Sequence, residues 1–429
     1  MPHNTLTAAS TQPARSNHTS RAATRGALAS NYVDQFDIFV PVIALAPVTA
    51  SLFGEDNLAR SAGLVFVATL IGRPLGAAVC GPLADRFGRT RISTLTLAGI
   101  SATTIIIAAV PSHESWGLWT LMTVLLMRFL GGIFLGGQYS AAIPLAMEWS
   151  RPHNRGALSG AIMAMSPLAN ASIAALSLAL LATLPTDQYA QWGWRIPFVL
   201  SALLAAVMLL FYRRSVSDNL IPSTTQRTVQ SVAVGEHRRV FWHIFVLMSG
   251  LWLLTNMAIP VVTQQLSAHR DFEPTQVTLV MLCGTAASAV TMFAAGHLST
   301  FTGRRRFYTV SGVVIATFAP AAFLGIWQAS SIELVIACVV ALQVCTVSAY
   351  GPIGVYLSER FPAEVRSTGY GLGYSLSIVI PALYPYYLPV LQGWLGTHAA
   401  VACLLALGGL LVGVGATLDR SRGDHLTVG

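Results

Sequence analysis

Twelve runs of about 20 apolar residues, each long enough to cross a bilayer as a helix, divide this chain of 429 residues. They fall at 30–53, 61–83, 92–111, 117–147, 156–183, 193–212, 240–265, 275–299, 307–327, 332–357, 367–391 and 396–418. Within lipid a chain can hide its backbone polar groups only in helices or closed barrels, and runs of this length specify helices. The expected fold class is therefore all-α and integral to the membrane, in two pseudo-symmetric six-helix bundles. Charged residues are 10% of the chain, against roughly 25% in soluble domains. The net charge of +8 comes from arginine alone, with no lysine anywhere, and the arginines crowd into alternate links between the runs. That pattern marks loops retained on the cytoplasmic side during insertion, so the expected partner is the lipid bilayer rather than nucleic acid.

The two-bundle expectation rests on a repeat. Gly81 through Arg91 recurs as Gly296 through Arg306, a shift of 215 residues, half the chain. Each copy closes one apolar run, turns on glycine and enters the next run through arginines. Glu148 precedes Arg155 by seven residues, and Glu359 precedes Arg366 by seven, a second match shifted by 211. Duplicated membrane bundles place a binding site between the halves and let them rock about it, which points to a carrier for small solutes. The repeated charges suggest ion pairs that lock one end of such a carrier: Arg89 with Glu148 and Arg304 with Glu359, flanked by Asp85, Arg155 and Arg366. Alternatively, these charges only solvate loop ends, where exposed pairs contribute little.

The expected segments are a disordered cytoplasmic tail at 1–28, a first bundle at 29–212, a cytoplasmic linker at 213–239, a second bundle at 240–418 and a short tail at 419–429. Both termini are expected inside the inner membrane of a bacterium, and one chain is expected to function as a monomer. The five cysteines all lie within apolar runs without metal-ligand spacing and read as buried small hydrophobes. No phosphate loop and no nucleophile set is present, so neither an enzyme nor a cofactor is expected.

The loop stretch Gly81 through Arg91 resembles the signature of the major facilitator superfamily. Arg73 through Gly76, the run from Arg128 to Gly137 and Gly193 through Phe198 are similar to its metabolite:proton symporter branch, as is Asp34-Gln35-Phe36-Asp37-Ile38-Phe39 in the first run. The resemblance implies alternating access by two six-helix halves, coupled to protons, and a proton site at Asp37. Three departures stand out. Thr300 occupies the place of an acid in the second loop copy, Gln138 follows a double glycine where the branch has Glu, and Ser217-Asp218-Asn219 replaces an acid-hydroxyl-Pro triplet.

Ionisable groups inside apolar runs are costly and so are functional candidates by default. Asp34 and Asp37 share one helix face and repel when both are ionised, which readies one of them to carry a proton. Asp37 lies deeper in its run and is the expected proton site; Asp34 either shares that role or caps the helix start. Arg128 needs an anionic partner, which is a helix-one Asp or a solute carboxylate held by its planar fork. Arg73 is a second anion contact or pairs with an internal acid. Gln138, Trp252 and Asn256 (four apart), Gln343 and Tyr350 (seven apart) and Tyr374 are the polar and aromatic groups expected to line the solute site. Together these predict proton-coupled uptake of a small anionic or zwitterionic metabolite, an organic acid first. The alternative is an efflux pump, against which stands the run Ala164 through Asn170, which lacks the Gly-Pro pair of drug antiporters.

Overall fold

The structure, a computed structural model, describes residues 17–53, 58–215, 232–270, 272 and 274–419. The described residues form twelve long helices. The first six are α1 (Asn17–Ala44), α2 (Leu58–Phe87), α3 (Arg89–Ala109), α4 (Leu118–Trp149), α5 (Arg155–Thr183) and α6 (Arg195–Ser215). The second six are α7 (Arg238–Asn256, prolonged by Met257–Val261 and Val262–His269), α8 (Pro274–Thr302), α9 (Arg304–Gln328), α10 (Ile332–Val347, resuming at Ile353–Arg360), α11 (Arg366–Leu376, Val379–Ala382 and Tyr384–Leu395) and α12 (Thr397–Thr417).

Ten of these are long and apolar enough to span a bilayer, and an eleventh is α11 if its two parts, bent by 45°, count as one span. Helix α1 falls short by composition because Asn31, Asp34, Gln35 and Asp37 lie along it, yet all four are buried among neighbouring helices. A polar face on a membrane helix is tolerated where it meets protein instead of lipid. The chain is already helical at Asn17, so the expectation of a disordered tail over 1–28 is corrected for its second part; residues 1–16 lie outside the described residues. The expected linker at 213–239 is helical at its start, since α6 runs on to Ser215, and 216–231 are outside the described residues. Asp419, expected in the closing tail, is buried and pairs with Arg360 at 2.6 Å; a carboxylate placed there anchors the end of α12 to α10.

The repeat is visible in the backbone. Gly88 (φ 101°) and Gly303 (φ 82°) stand 215 residues apart and each turns the chain from one helix into the next. Only glycine takes that conformation without steric cost, which explains why both copies of the loop carry it.

Helices α2 and α4 cross backbone to backbone. A Cβ on Gly76 would stand 1.8 Å from the Ile133 carbonyl oxygen, one on Gly132 2.1 Å from that of Thr69, and one on Gly136 2.1 Å from that of Arg73. This close approach, typical of small residues between membrane helices, fixes where Arg73 sits. Gly76→Ala should therefore force the helices apart at a cost of about 1–3 kcal/mol, read as a lowered midpoint of thermal unfolding in detergent. An unchanged midpoint would show that α2 is free to shift.

Breaks in two helices are repaired by neighbours. Where α11 is interrupted, Trp252 Nε1, Ser249 Oγ and Asn256 Nδ2 on one face of α7 donate to the carbonyl oxygens of Tyr374 (3.0 Å), Ser377 (3.3 Å) and Pro381 (3.0 Å). Irregular backbone at membrane depth needs such partners. By contrast, α4 and α5 continue through Pro144 and Pro167.

Candidate functional site

Among the described residues, four charged side chains lie away from the helix ends: Asp34 and Asp37 on α1, Arg73 on α2 and Arg128 on α4. All four are buried, but their partners differ. Arg128 Nη1 donates to the Asp37 carboxylate at 3.0 Å and to the Asp37 carbonyl oxygen at 3.0 Å. The other oxygen of Asp37 accepts from Thr104 Oγ1 (2.5 Å) and Ser201 Oγ (3.1 Å). Asp37 thus ties α1 to α3, α4 and α6 within the first half, and Arg128 is placed as its partner, not on a surface shared with the second half.

Asp34 and Arg73 are left over. Asp34 Oδ1 and Arg73 Nε and Nη2 are buried without a hydrogen-bond partner, as are Arg128 Nε and Nη2, but Arg128 has the Asp37 carboxylate at 3.0 Å and neither Asp34 nor Arg73 forms an ion pair among those found for the described residues. The Arg73 guanidinium is held by aromatic faces instead, 4.8 Å from the ring centre of Tyr139, 5.4 Å from Tyr374 and 5.6 Å from Trp252. Cation–π attraction orients a guanidinium but leaves its N–H groups unsatisfied. Two of these rings come from the second half, and Tyr139 stacks on Tyr374 at 4.8 Å across the boundary. Tyr350 packs edge-on to Trp252 at 5.6 Å. The centre therefore contains one guanidinium with two nitrogens lacking acceptors and one carboxyl oxygen lacking a donor, where the halves meet.

Several expected site residues are placed elsewhere. Gln138 accepts from Thr96 Oγ1 at 2.6 Å and donates to Ser30 Oγ at 2.7 Å; both ends of its amide join helices of the first half, so the expectation of a cavity-facing group is corrected. Gln343 lies against Gly284, Ser288 and Met281 between α8 and α10. Asn256 is occupied at the α11 break. Two residues that sequence reasoning missed join the centre: Tyr139, and Gln35, which donates to the Tyr139 hydroxyl and accepts from Ser166 Oγ at 2.8 Å. Gln35 had a signal, a neutral amide between two acids in an apolar run. Tyr139 had none, because it reaches Arg73 only through the crossing of α2 and α4.

The hydrogen bonds and ion pairs joining the halves cluster at the arginine-rich end. Glu148 pairs with Arg89 of its own half and with Arg366 Nη1 of the other at 2.5 Å. Arg89 Nε also donates to Ser367 Oγ at 2.8 Å. Asp85 accepts from the backbone N–H groups of Ser367 (3.0 Å) and Thr368 (2.9 Å) and from Thr368 Oγ1 (2.7 Å). One half thus supplies the carboxylate that caps a helix of the other, where exposed N–H groups and the helix dipole favour an anion.

In the second loop copy Arg304 Nε meets Glu359 at 3.5 Å, and Arg155 of the first half is among the charges acting on Glu359. Thr300 supplies no carboxylate to match Asp85; its hydroxyl accepts from Arg304 at 3.2 Å. A single hydroxyl adds a further link: Ser159 Oγ donates to the Gly351 carbonyl (2.7 Å) and accepts from Val355 N–H (3.2 Å), bridging the break in α10. Close by, Gly156 and Gly160 of α5 meet Gly296 of α8 backbone to backbone.

A separate recess of about 970 Å³ between α8, α9 and α10 is lined by Val310, Val314 and Phe318, all exposed on the outer surface. It does not reach the charged centre.

Two six-helix bundles that share a polar centre and lock together at one end have the architecture of a membrane solute carrier. The sequence profile of the Major Facilitator Superfamily matches residues 30–267 and 244–426, and the chain belongs to that family, as a multi-pass membrane transporter and not an enzyme. It is 28% identical over 396 residues to the inner membrane metabolite transport protein YhjE of Escherichia coli strain K12, spanning 88% of this chain and 89% of that protein. Over 396 residues it is 25% identical to the citrate-proton symporter of Klebsiella pneumoniae, 87% of each chain being covered. In fold it is similar to the proton:xylose symporter XylE bound to 6-bromo-6-deoxy-D-glucose, with a TM-score of 0.72 over 93% of this chain and 94% of that one at 15% identity.

Proposed function

We propose that this chain is a proton-coupled importer of a small organic anion, with Arg73 as the anion contact and Asp34 as the proton site. The observation that carries the reading is the buried, unpartnered pair of groups at the centre: Arg73 Nε and Nη2, and Asp34 Oδ1. A permanently charged guanidinium with free N–H groups in a membrane interior calls for a carboxylate. A buried carboxyl oxygen without a donor is open to a proton. Asp37, with Arg128, Thr104 and Ser201 around it, has neither need. That one relative is named a citrate-proton symporter favours the same chemistry.

The arginine-rich end is cytoplasmic in this reading, as positive loops are retained inside, and both termini share that side of the bacterial inner membrane. Asp85, Arg89, Glu148, Arg155, Arg304, Glu359 and Arg366 then form the cytoplasmic gate, here closed. Protons and solute enter from outside, and opening the gate releases them inward. A single chain holds the whole site, consistent with a working monomer.

The test is uptake by the purified, full-length protein in liposomes under an imposed pH gradient. Asp34→Asn should lose proton-driven accumulation yet keep exchange of labelled for unlabelled solute, whereas Asp37→Asn in well-folded protein should stay coupled. Wild-type accumulation by Asp34→Asn would reject the assignment.

A further inference from the structure

We infer that the transported solute is a monocarboxylate, carried with one proton in an electroneutral cycle, because a single guanidinium serves Asp34 and the solute carboxylate in turn. The inference rests on the proposed function and adds to it the charge of the cargo and of the cycle.

Charge balance carries the argument. Among the described residues, the charges away from the helix ends are Asp34, Asp37, Arg73 and Arg128; Asp37 and Arg128 neutralise each other within the first half, with Arg128 Nε and Nη2 left without partners. What remains is one positive and one negative group, Arg73 and Asp34. The groups facing Asp34 are Arg73 from α2, Tyr139 from α4, Tyr212 from α6 and Asp37 on its own helix. Helix α5, also packed on α1, contributes no ionisable side chain at that level, where Ser166 meets Gln35. Among the described residues the other interior cation is Arg128, whose charge Asp37 already balances.

An unbalanced charge is expensive in this interior, so two states are favoured. In the empty state Asp34 is ionised and balances Arg73. In the loaded state the solute carboxylate accepts from Arg73 Nε and Nη2 in the fork geometry suited to it, and Asp34 holds a proton on its oxygen. Solute with Asp34 ionised leaves one excess negative charge, and a proton without solute leaves one excess positive charge. Both off-pathway states are disfavoured, which couples the two ligands one to one. A dicarboxylate or tricarboxylate would bring negative charge that no group here can meet. A zwitterion would bring a second cation into a ring cluster already filled by Arg73.

The experiment uses the full-length protein in liposomes containing a pH-sensitive dye, with gluconate and quinate as membrane-impermeant monocarboxylates, succinate and 2-oxoglutarate as dicarboxylates, and proline and glycine betaine as zwitterions. A monocarboxylate should acidify the interior and accumulate about tenfold per unit of pH gradient. Its accumulation should not respond to a potential of about 100 mV set by potassium and valinomycin; a cycle moving one net charge would change it about fifty-fold. Arg73→Gln should abolish binding of the monocarboxylate. Asp34→Asn, a permanent neutral mimic that serves as the folding control, should bind it with an affinity that no longer varies with pH. Proton-coupled carboxylate accumulation that follows the potential would overturn the electroneutral cycle and leave the proposed function standing, as would selective transport of dicarboxylates. Solute flux with no proton movement, or no flux of any member of the panel, would remove both.

Discussion

Arg128→Met should destabilise the protein by about 3–5 kcal/mol, because it strands the Asp37 carboxylate in the interior of the first half. Asp37 and Arg128 are each 1% exposed and lie 3.0 Å apart, so neither can recover solvent when its partner is lost. Asp37→Asn should cost a similar amount, since it leaves a guanidinium that cannot shed its proton. The double variant Asp37→Asn with Arg128→Met should recover much of the loss, because removing both charges of a buried pair is far cheaper than removing one. A cycle of the four proteins, followed by unfolding in a titration with sodium dodecyl sulfate, measures the coupling. Additive losses would mean that the two side chains act independently. The contrast with Asp34 is part of the expectation: Asp34→Asn breaks no direct ion pair and should cost less stability than Asp37→Asn, while coupling is lost.

Glu148→Gln should open the arginine-rich end. Glu148 pairs directly with both Arg89 and Arg366, the first fully buried and the second 4% exposed, while Asp85 stands 3.8 Å from Arg89. Without its charge, two arginines from opposite halves face each other across the gate. Loss of one partner from a buried pair is worth about 3–5 kcal/mol, and moving a two-state equilibrium from 99:1 to 1:99 takes about 5.5 kcal/mol. A closed state favoured 99:1 would therefore fall to parity or below. Spin labels on the exposed positions Arg151 and Ala363, one in each half, should report a longer and broader distance distribution in the variant. A distribution identical to that of the parent would assign the closure to the glycine contacts of α5 with α8 and to Asp85 at the start of α11. Glu359→Gln should do less, since Arg304 lies in the same half at 3.5 Å.

These expectations also show where reading along the chain reached its limit. The repeat led to the contacts of Arg89 with Glu148 and of Arg304 with Glu359, because charged anchors at matching positions in duplicated bundles fall on matching helix ends. Nothing along the chain indicated that Glu148 would hold an arginine of each half, or that Asp85 would cap α11 from the opposite bundle. Gln138 looked available to a solute because it follows a double glycine in helix four; in three dimensions that stretch packs on α1 and α3, and Ser30 and Thr96 take both ends of the amide. Gln343 and Asn256 share helix faces with Tyr350 and Trp252, but sharing a face does not decide which neighbour the face meets.

The sequence alone determined the all-helical membrane class, the division into halves, the positions of the helix spans and the glycine-arginine turns, because hydropathy, chain length and the φ of a single residue are local properties. It also named the four interior charges, since an ionisable side chain in an apolar run is conspicuous wherever the run ends up. Only the tertiary structure decided which of those charges are partnered. That depends on how closely α2 approaches α4 and on which helices surround α1, distances set by packing between segments far apart in the chain. Arg128 and Arg73 are equivalent as sequence, and each keeps Nε and Nη2 without a partner; one has the Asp37 carboxylate at 3.0 Å inside the first half, whereas the other has aromatic rings from both halves and no carboxylate in an ion pair, which is why the candidate site moves from the first to the second.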